Sequence, residues 1–263
     1  MKIGIFDSGL GGLFILRALT LKLPTYDYIF LGDTKNLPYG EKSDKEIFDL
    51  SVKAVKFLFE QGCSLVIIAC NTSSAQALRE IQRDYLPEKF PDRHVLGVIR
   101  PTIEEINTGD TIVLATTFTA ARARVYSKEL EKIHPELKVT EIAAPELAAY
   151  IEANDLKKIR ESISKYTLPL KDKVHTNLIL GCTHYAVVKN LFAKKLGKGV
   201  RLISQDEIIP EKLSNYLVRH AEIERNLSKK GERTFFVTKL DEIFTANAKK
   251  WFGKKVELKL AKY

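Results

Sequence analysis

Two cysteines stand in matching surroundings. Cys70 closes the apolar run of VIIACNTSSAQ (66–76), and Cys182 closes that of LILGCTHYAVV (178–188). A polar cluster and then a helix-like pattern follow each. A thiol placed between a buried strand and a helix N-terminus sits where free amides and the helix dipole lower its pKa from about 8.5. Asn71, Thr72, Ser73 and Thr183 can cap those helices. The same amides can hold a carboxylate. Free cysteines are also commonly buried and inert, but two in the same setting weigh against that reading. Cys63, in EQGCSLV, enters its strand from the opposite end and reads as structural.

Other groups are placed to assist. DSGLGG (7–12) directly follows the first apolar run, and its glycines let the backbone turn tightly and approach a ligand. It matches neither a dinucleotide fingerprint nor a phosphate-binding P-loop. Asp7 can handle or orient a proton there and Ser8 can donate a hydrogen bond, or the stretch is simply a capped glycine turn. His184 lies two positions after Cys182, within reach of helping a thiol lose its proton. Thr116 and Thr119, in TTFT, face a common site or cap a helix. LPYGEK (37–42) carries Tyr39 on a Pro/Gly loop, and Glu152 closes PELAAYIE, where it reads equally as a solvated helix carboxylate.

The elements that must position these groups follow an α/β pattern. Short Ile/Leu/Val runs alternate with longer amphipathic stretches. Strands are expected at 2–6, 27–32, 65–69, 94–99, 111–116, 138–143, 177–181 and 201–204, with a ninth at 234–238. Helices are expected at 12–22, 44–61, 73–84, 101–107, 119–132, 145–152, 155–166, 184–195, 207–221 and 240–252. Continuous apolar strands indicate mostly parallel sheets covered by helices. The repeated strand–Cys–Thr–helix turn predicts two similar α/β domains, 1–97 and 98–208, divided near the proline of VIRPT. Residues 209–263 are expected to return to the first domain.

The bulk composition is consistent with this. The chain has 263 residues, enough for one large core or two smaller ones. Its three cysteines include no C-x-x-C pair, so no zinc or thioredoxin-like site is expected. The opening MKIGIFDSG is too short and polar for an export signal, and no apolar run approaches ~18 residues. A reducing, cytoplasmic setting is therefore the expectation. The net charge of +9 lies almost wholly beyond residue 100, on scattered lysines. That reads as a solvated surface, and nucleic acid is not an expected partner.

As a set, DSGLGG, PYG, ACNTSSA, GVIRP, the paired Thr116 and Thr119, and LGCTHY resemble the glutamate racemase family of the aspartate/glutamate racemase superfamily. Order and spacing agree over nearly the whole chain. The resemblance implies two α/β domains with the active site in the cleft between them, and cofactor-independent interconversion of L- and D-glutamate, supplying D-glutamate for peptidoglycan. It implies Cys70 and Cys182 as the two acid/base groups, with Asp7 assisting the first and His184 and Glu152 the second. Ser8, Pro38, Tyr39, Gly40, Asn71, Thr72, Thr116, Thr119 and Thr183 would bind substrate, with Asp7 and His184 contributing. It implies no metal and no cofactor, a homodimer, and no membrane partner. Alternatives are an aspartate racemase or other amino-acid racemase of the superfamily, and a non-catalytic anion-binding relative. This sequence departs from the family pattern at Arg100, Arg122, Ala144, Ala186, Val187 and Gln205, which bears on substrate preference, dimerisation and regulation rather than on reaction type.

Overall fold

The computed structural model describes residues 1–171, 173 and 176–262 and, for Ala120, the main chain alone. The strands are β1 (Lys2–Asp7), β2 (Tyr28–Gly32), β3 (Cys63–Ile68), β4 (His94–Gly97), β5 (Asp110–Ala115), β6 (Val139–Ala143), β7 (Thr176–Gly181), β8 (Val200–Ile203), β9 (Arg233–Val237) and β10 (Leu258–Leu260). They form two sheets. One has six strands in the order β10-β9-β2-β1-β3-β4, the other four in the order β6-β5-β7-β8. Every pairing is parallel. The central strands β3 and β7 are buried along their whole length, as expected of strands covered by helices on both faces.

In a parallel α/β sheet, the loops leaving the carboxyl ends of the strands carry ligands. Here Asp7 ends β1, Cys70 follows β3, Thr116 follows β5 and Cys182 follows β7. The first three loops of the larger sheet and those of the smaller sheet therefore carry the candidate residues. β9 pairs with β2, and β10 pairs with β9, so the C-terminal segment extends the larger sheet.

Local signals mark some of the helices. Ser43 begins the Asp44–Glu60 helix with a capping box: its side chain accepts from the Glu46 N–H, and Glu46 accepts from the Ser43 N–H at 3.0 Å. Such caps stabilise a helix by about 1 kcal/mol. Three expected helices are interrupted. The one after Cys70 runs Asn71–Gln76, continues briefly, and widens to a π-turn at Ile81–Tyr85. Pro87 follows that turn, has no N–H to donate and crowds the carbonyl four residues back. The segment after Thr117 also begins as a π-turn (Phe118–Ala123) and stops at Arg124, a left-handed residue with φ 48°. The helix after Cys182 is one turn, Thr183–Ala186, and resumes at Lys189–Lys195 beyond two β-branched valines. A single turn supplies much less dipole than the continuous helix expected there. β10 was not expected, since it has only three residues, LKL, one of them polar and two exposed.

Candidate active site

Two sulfurs define the site. Cys70 and Cys182 are both buried, with 5% and 7% of their surface exposed. The Cys70 thiol donates to Ser8 Oγ at 3.2 Å. Burial pushes its pKa up, and the nearby Asp7 charge pushes it further; the Ser8 hydroxyl and Ser73 main-chain N–H oppose this. Asp7 is fully buried. Its Oδ1 accepts the Gly9 N–H at 2.8 Å, and the Thr183 side chain also favours its charged form, while Oδ2 makes no hydrogen bond of good geometry among the described residues. Burial raises the Asp7 pKa above the ordinary carboxylate range, although the His184 charge opposes it.

The second sulfur has its own chain of groups. Cys182 Sγ lies 3.7 Å from His184 Nδ1, and His184 Nε2 lies 2.6 Å from Glu152 Oε1. Burial disfavours a charged ring, but the bonds to Cys182 and Glu152 outweigh it, and the His184 pKa lies well above its ordinary value. Glu152 Oε1 also accepts the Leu10 N–H at 3.3 Å. The loop after β1 thus touches Glu152, which follows β6 of the other sheet.

The loops meet closely elsewhere. A methyl group at Gly11 would lie 2.6 Å from Thr183 Oγ1, and one at Gly40 would lie 2.9 Å from Thr116 Cβ. Thr72 Oγ1 is 3.1 Å from Thr116 Oγ1 and 3.5 Å from Thr119 Oγ1. Thr116 donates to Thr119 at 3.2 Å. So Asp7, Ser8, Gly40, Cys70, Thr72, Thr116, Thr119, Glu152, Cys182, Thr183 and His184 all belong to one constellation of thiols, hydroxyls and paired carboxylates. Such a set suits proton transfer on a small polyfunctional acid. Tyr39 follows Pro38 in the loop that carries Gly40 and donates its hydroxyl to Asp33 Oδ2 at 2.6 Å. The Asn71 side chain is turned to Gln205 and Tyr126 rather than to Cys70. Cys63 stays apart: it is buried in the core, and burial pushes its pKa up to about 12. Among the described residues no group of three His, Cys, Asp or Glu side chains is arranged to hold a metal.

The family description Asp/Glu/Hydantoin racemase matches residues 16–208. The chain belongs to that racemase family. A glutamate racemase of Roseobacter denitrificans is 37% identical over 236 residues, covering 84% of this chain and 86% of its own. A glutamate racemase structure from Bacillus anthracis superposes with a TM-score of 0.86 at 29% identity, over 99% of this chain and 97% of that one. One from Francisella tularensis, in complex with D-glutamate, gives 0.84 at 29% identity, over the same shares.

Within this racemase, several supporting residues carried little sequence signal. Asp33, just beyond β2, is fully buried and holds Tyr39, Asn36 and Thr238. Its place after a strand, like that of Asp7, was the available clue. Asn247 donates to the Glu152 carbonyl at 2.7 Å, and the Trp251 ring stands edge-on to His184 at 6.3 Å. Both lie on the Glu242–Trp251 helix, far along the chain. Among the departures, Arg122 covers the Phe118 ring, donates to the Lys42 carbonyl at 2.8 Å and pairs with Asp44. Ala144 is buried, and its carbonyl accepts from Tyr185 at 2.8 Å. Arg100 lies at the surface against Glu104 and Glu129. No helix is long and apolar enough to cross a membrane among the described residues.

Proposed function

We propose that this protein interconverts L- and D-glutamate by moving a proton on and off the α-carbon with two thiols, one for each face. The observation that carries the reading is the duplication of the acid/base apparatus. Cys70 has Asp7 beside it and Cys182 has His184 backed by Glu152, each set on the loops of a different sheet. Inversion by 1,1-proton transfer needs a base on one face and an acid on the other. A binding protein would need the hydroxyls but not a second thiol.

The two sides differ in their resting state. The raised pKa of Cys70 keeps it a protonated thiol near neutral pH, ready to deliver a proton. On the other side, the raised pKa of His184 favours its imidazolium, which stabilises a thiolate at Cys182, with the Glu152 carboxylate behind it. In this account Cys182 removes the α-proton of L-glutamate while Cys70 protonates the opposite face, and the roles reverse for D-glutamate. Ser8, Thr72, Thr116, Thr119 and Thr183 hold the ammonium and carboxylates, with Asn71 and the Pro38–Gly40 loop contributing main-chain groups. Donors fixed around the α-carboxylate stabilise the charge that develops there as the proton leaves. A relative bound to D-glutamate supports this choice of substrate. We assign residues 1–97 and 98–208 as two domains flanking the site, with 209–263 returning to the first. The product would supply peptidoglycan synthesis in the cytoplasm, and the chain would act as a homodimer.

Circular dichroism of the purified protein with L-glutamate, D-glutamate and L-aspartate, without added cofactor, tests the reading. Both glutamate enantiomers should lose their signal and aspartate should not. Cys70→Ser and Cys182→Ser should each lower racemisation by about 100- to 10,000-fold, the range of a positioned acid/base group. Equal or faster turnover of aspartate would refute the substrate, and near-normal activity of either variant would refute the mechanism.

A further inference from the structure

Next to Cys70 lies a buried polar knot that the proton-transfer scheme does not use. Asn71 Nδ2 donates to Gln205 Oε1 at 2.9 Å, and Gln205 Nε2 returns a bond to Asn71 Oδ1 at 2.8 Å. Tyr126 donates its hydroxyl to the same Asn71 oxygen at 2.7 Å and accepts from Gln205 Nε2 at 3.0 Å. All three side chains are at least 97% buried. Burial also holds the Tyr126 phenol in its protonated, donating form.

The three residues come from different parts of the fold. Asn71 follows β3 of the larger sheet. Tyr126 lies on the Val125–Ile133 helix that follows β5 of the smaller sheet. Gln205 opens the Gln205–Arg219 helix, which leaves β8 of the smaller sheet and packs on the Gly12–Lys22 helix beside β1. Asn71 therefore has its amide held from the opposite sheet, one peptide bond away from Cys70. A reciprocal amide pair fixes both distance and plane, which a single hydroxyl at position 205 would not do.

We propose that Gln205 and Tyr126 are positioning residues that lock the Cys70 turn, and with it the Cys70 sulfur, to the half of the molecule that carries Cys182. This rests on the two-thiol reading above. Removing the lock leaves a buried amide without partners, so the turn must shift or admit water. The effect should fall mainly on the Cys70 side, because the knot's hydrogen bonds end on Asn71, next to Cys70, whereas Tyr126 reaches Cys182 only through its charge.

Two readouts test this in Gln205→Leu and in Tyr126→Phe. In Gln205→Leu, kcat should fall at least tenfold with KM changed less than about threefold, since alignment rather than substrate contact is lost. The second readout is iodoacetamide alkylation, followed at Cys70 in a Cys182→Ser background and at Cys182 in a Cys70→Ser background. A loosened, wetter Cys70 should react about fivefold faster or more, with Cys182 little changed. Tyr126→Phe removes one donor and keeps the amide pair, so it should show the same one-sided pattern at smaller amplitude and covers the case in which Gln205→Leu does not fold. Equal changes at both thiols, or kcat within twofold of the parent, would overturn the proposal. Alkylation needs no substrate, so a parent protein that fails to racemise glutamate would defeat the functional reading and leave this test standing.

Discussion

Asp7 is held where its ionised form is costly. Burial raises its pKa in the folded protein above the unfolded value of about 3.9. The sign of the pH effect follows. A raised folded-state pKa means that the folded chain binds the proton more tightly, so this contribution to stability is complete below about pH 3.9 and is lost as pH rises through the folded value. Asparagine cannot ionise and carries no such penalty. The stability of Asp7→Asn relative to the parent should therefore improve as pH rises from about 3.9 through the raised folded pKa and level off above it, measured by chemical denaturation. Its Cys70 should also ionise at lower pH, because the Asp7 charge that opposes the thiolate is gone. Racemisation should nevertheless fall. A relative stability that worsens with rising pH would contradict this account of the site. The enantiomers are equal in energy, so kcat/KM must fall equally in both directions in any variant. Asymmetry between the two sides can show only in kcat, KM or thiol reactivity.

The turns are the elements on which the site depends, and they meet without slack. Gly11 has ordinary helical angles, φ −57° and ψ −35°, so torsion does not require glycine there. Space does: a methyl group would lie 2.7 Å from the His184 main-chain nitrogen as well as against Thr183. Main chain cannot move aside as a flexible side-chain end can. Gly11→Ala should cost about 1–3 kcal/mol of stability, as overpacking does. Its kcat should fall further than that loss explains, because the Cys182 turn is what gives way; urea melts and dichroism assays on one preparation would show both. A variant with parental kcat would mean that the two turns are not mechanically linked. The elements themselves were largely legible in the sequence. The Gly12–Lys22 helix, the strands of both sheets other than β10 and the capped Asp44–Glu60 helix follow from apolar periodicity and local caps. The interruption at Arg124 was not legible, since TAARARVY contains neither glycine nor proline.

At the scale of the whole molecule, the matched setting of the two thiols could be read because it is repeated, and the residues that hold Asp33, Glu152 and Asn71 in place could not, because they come from distant segments. Asp33 is held by Thr238, Glu152 by Asn247, and Asn71 by Gln205. Each partner lies on an element whose own pattern says only that it packs. Two parallel sheets turn the carboxyl ends of their strands toward a shared set of side chains, and each sheet supplies one thiol. The central claim is that one thiol serves each face of the substrate. Its most direct test is the fate of the α-hydrogen when the parent enzyme acts on L-glutamate in deuterated water, followed over the first few per cent of conversion by mass spectrometry of the separated enantiomers. The D-glutamate formed should carry deuterium at the α-carbon, delivered by the thiol that did not remove the proton, while the remaining L-glutamate keeps its hydrogen. D-glutamate that retains the original hydrogen, or L-glutamate that gains deuterium as fast as D-glutamate appears, would contradict it by requiring a single group to serve both faces.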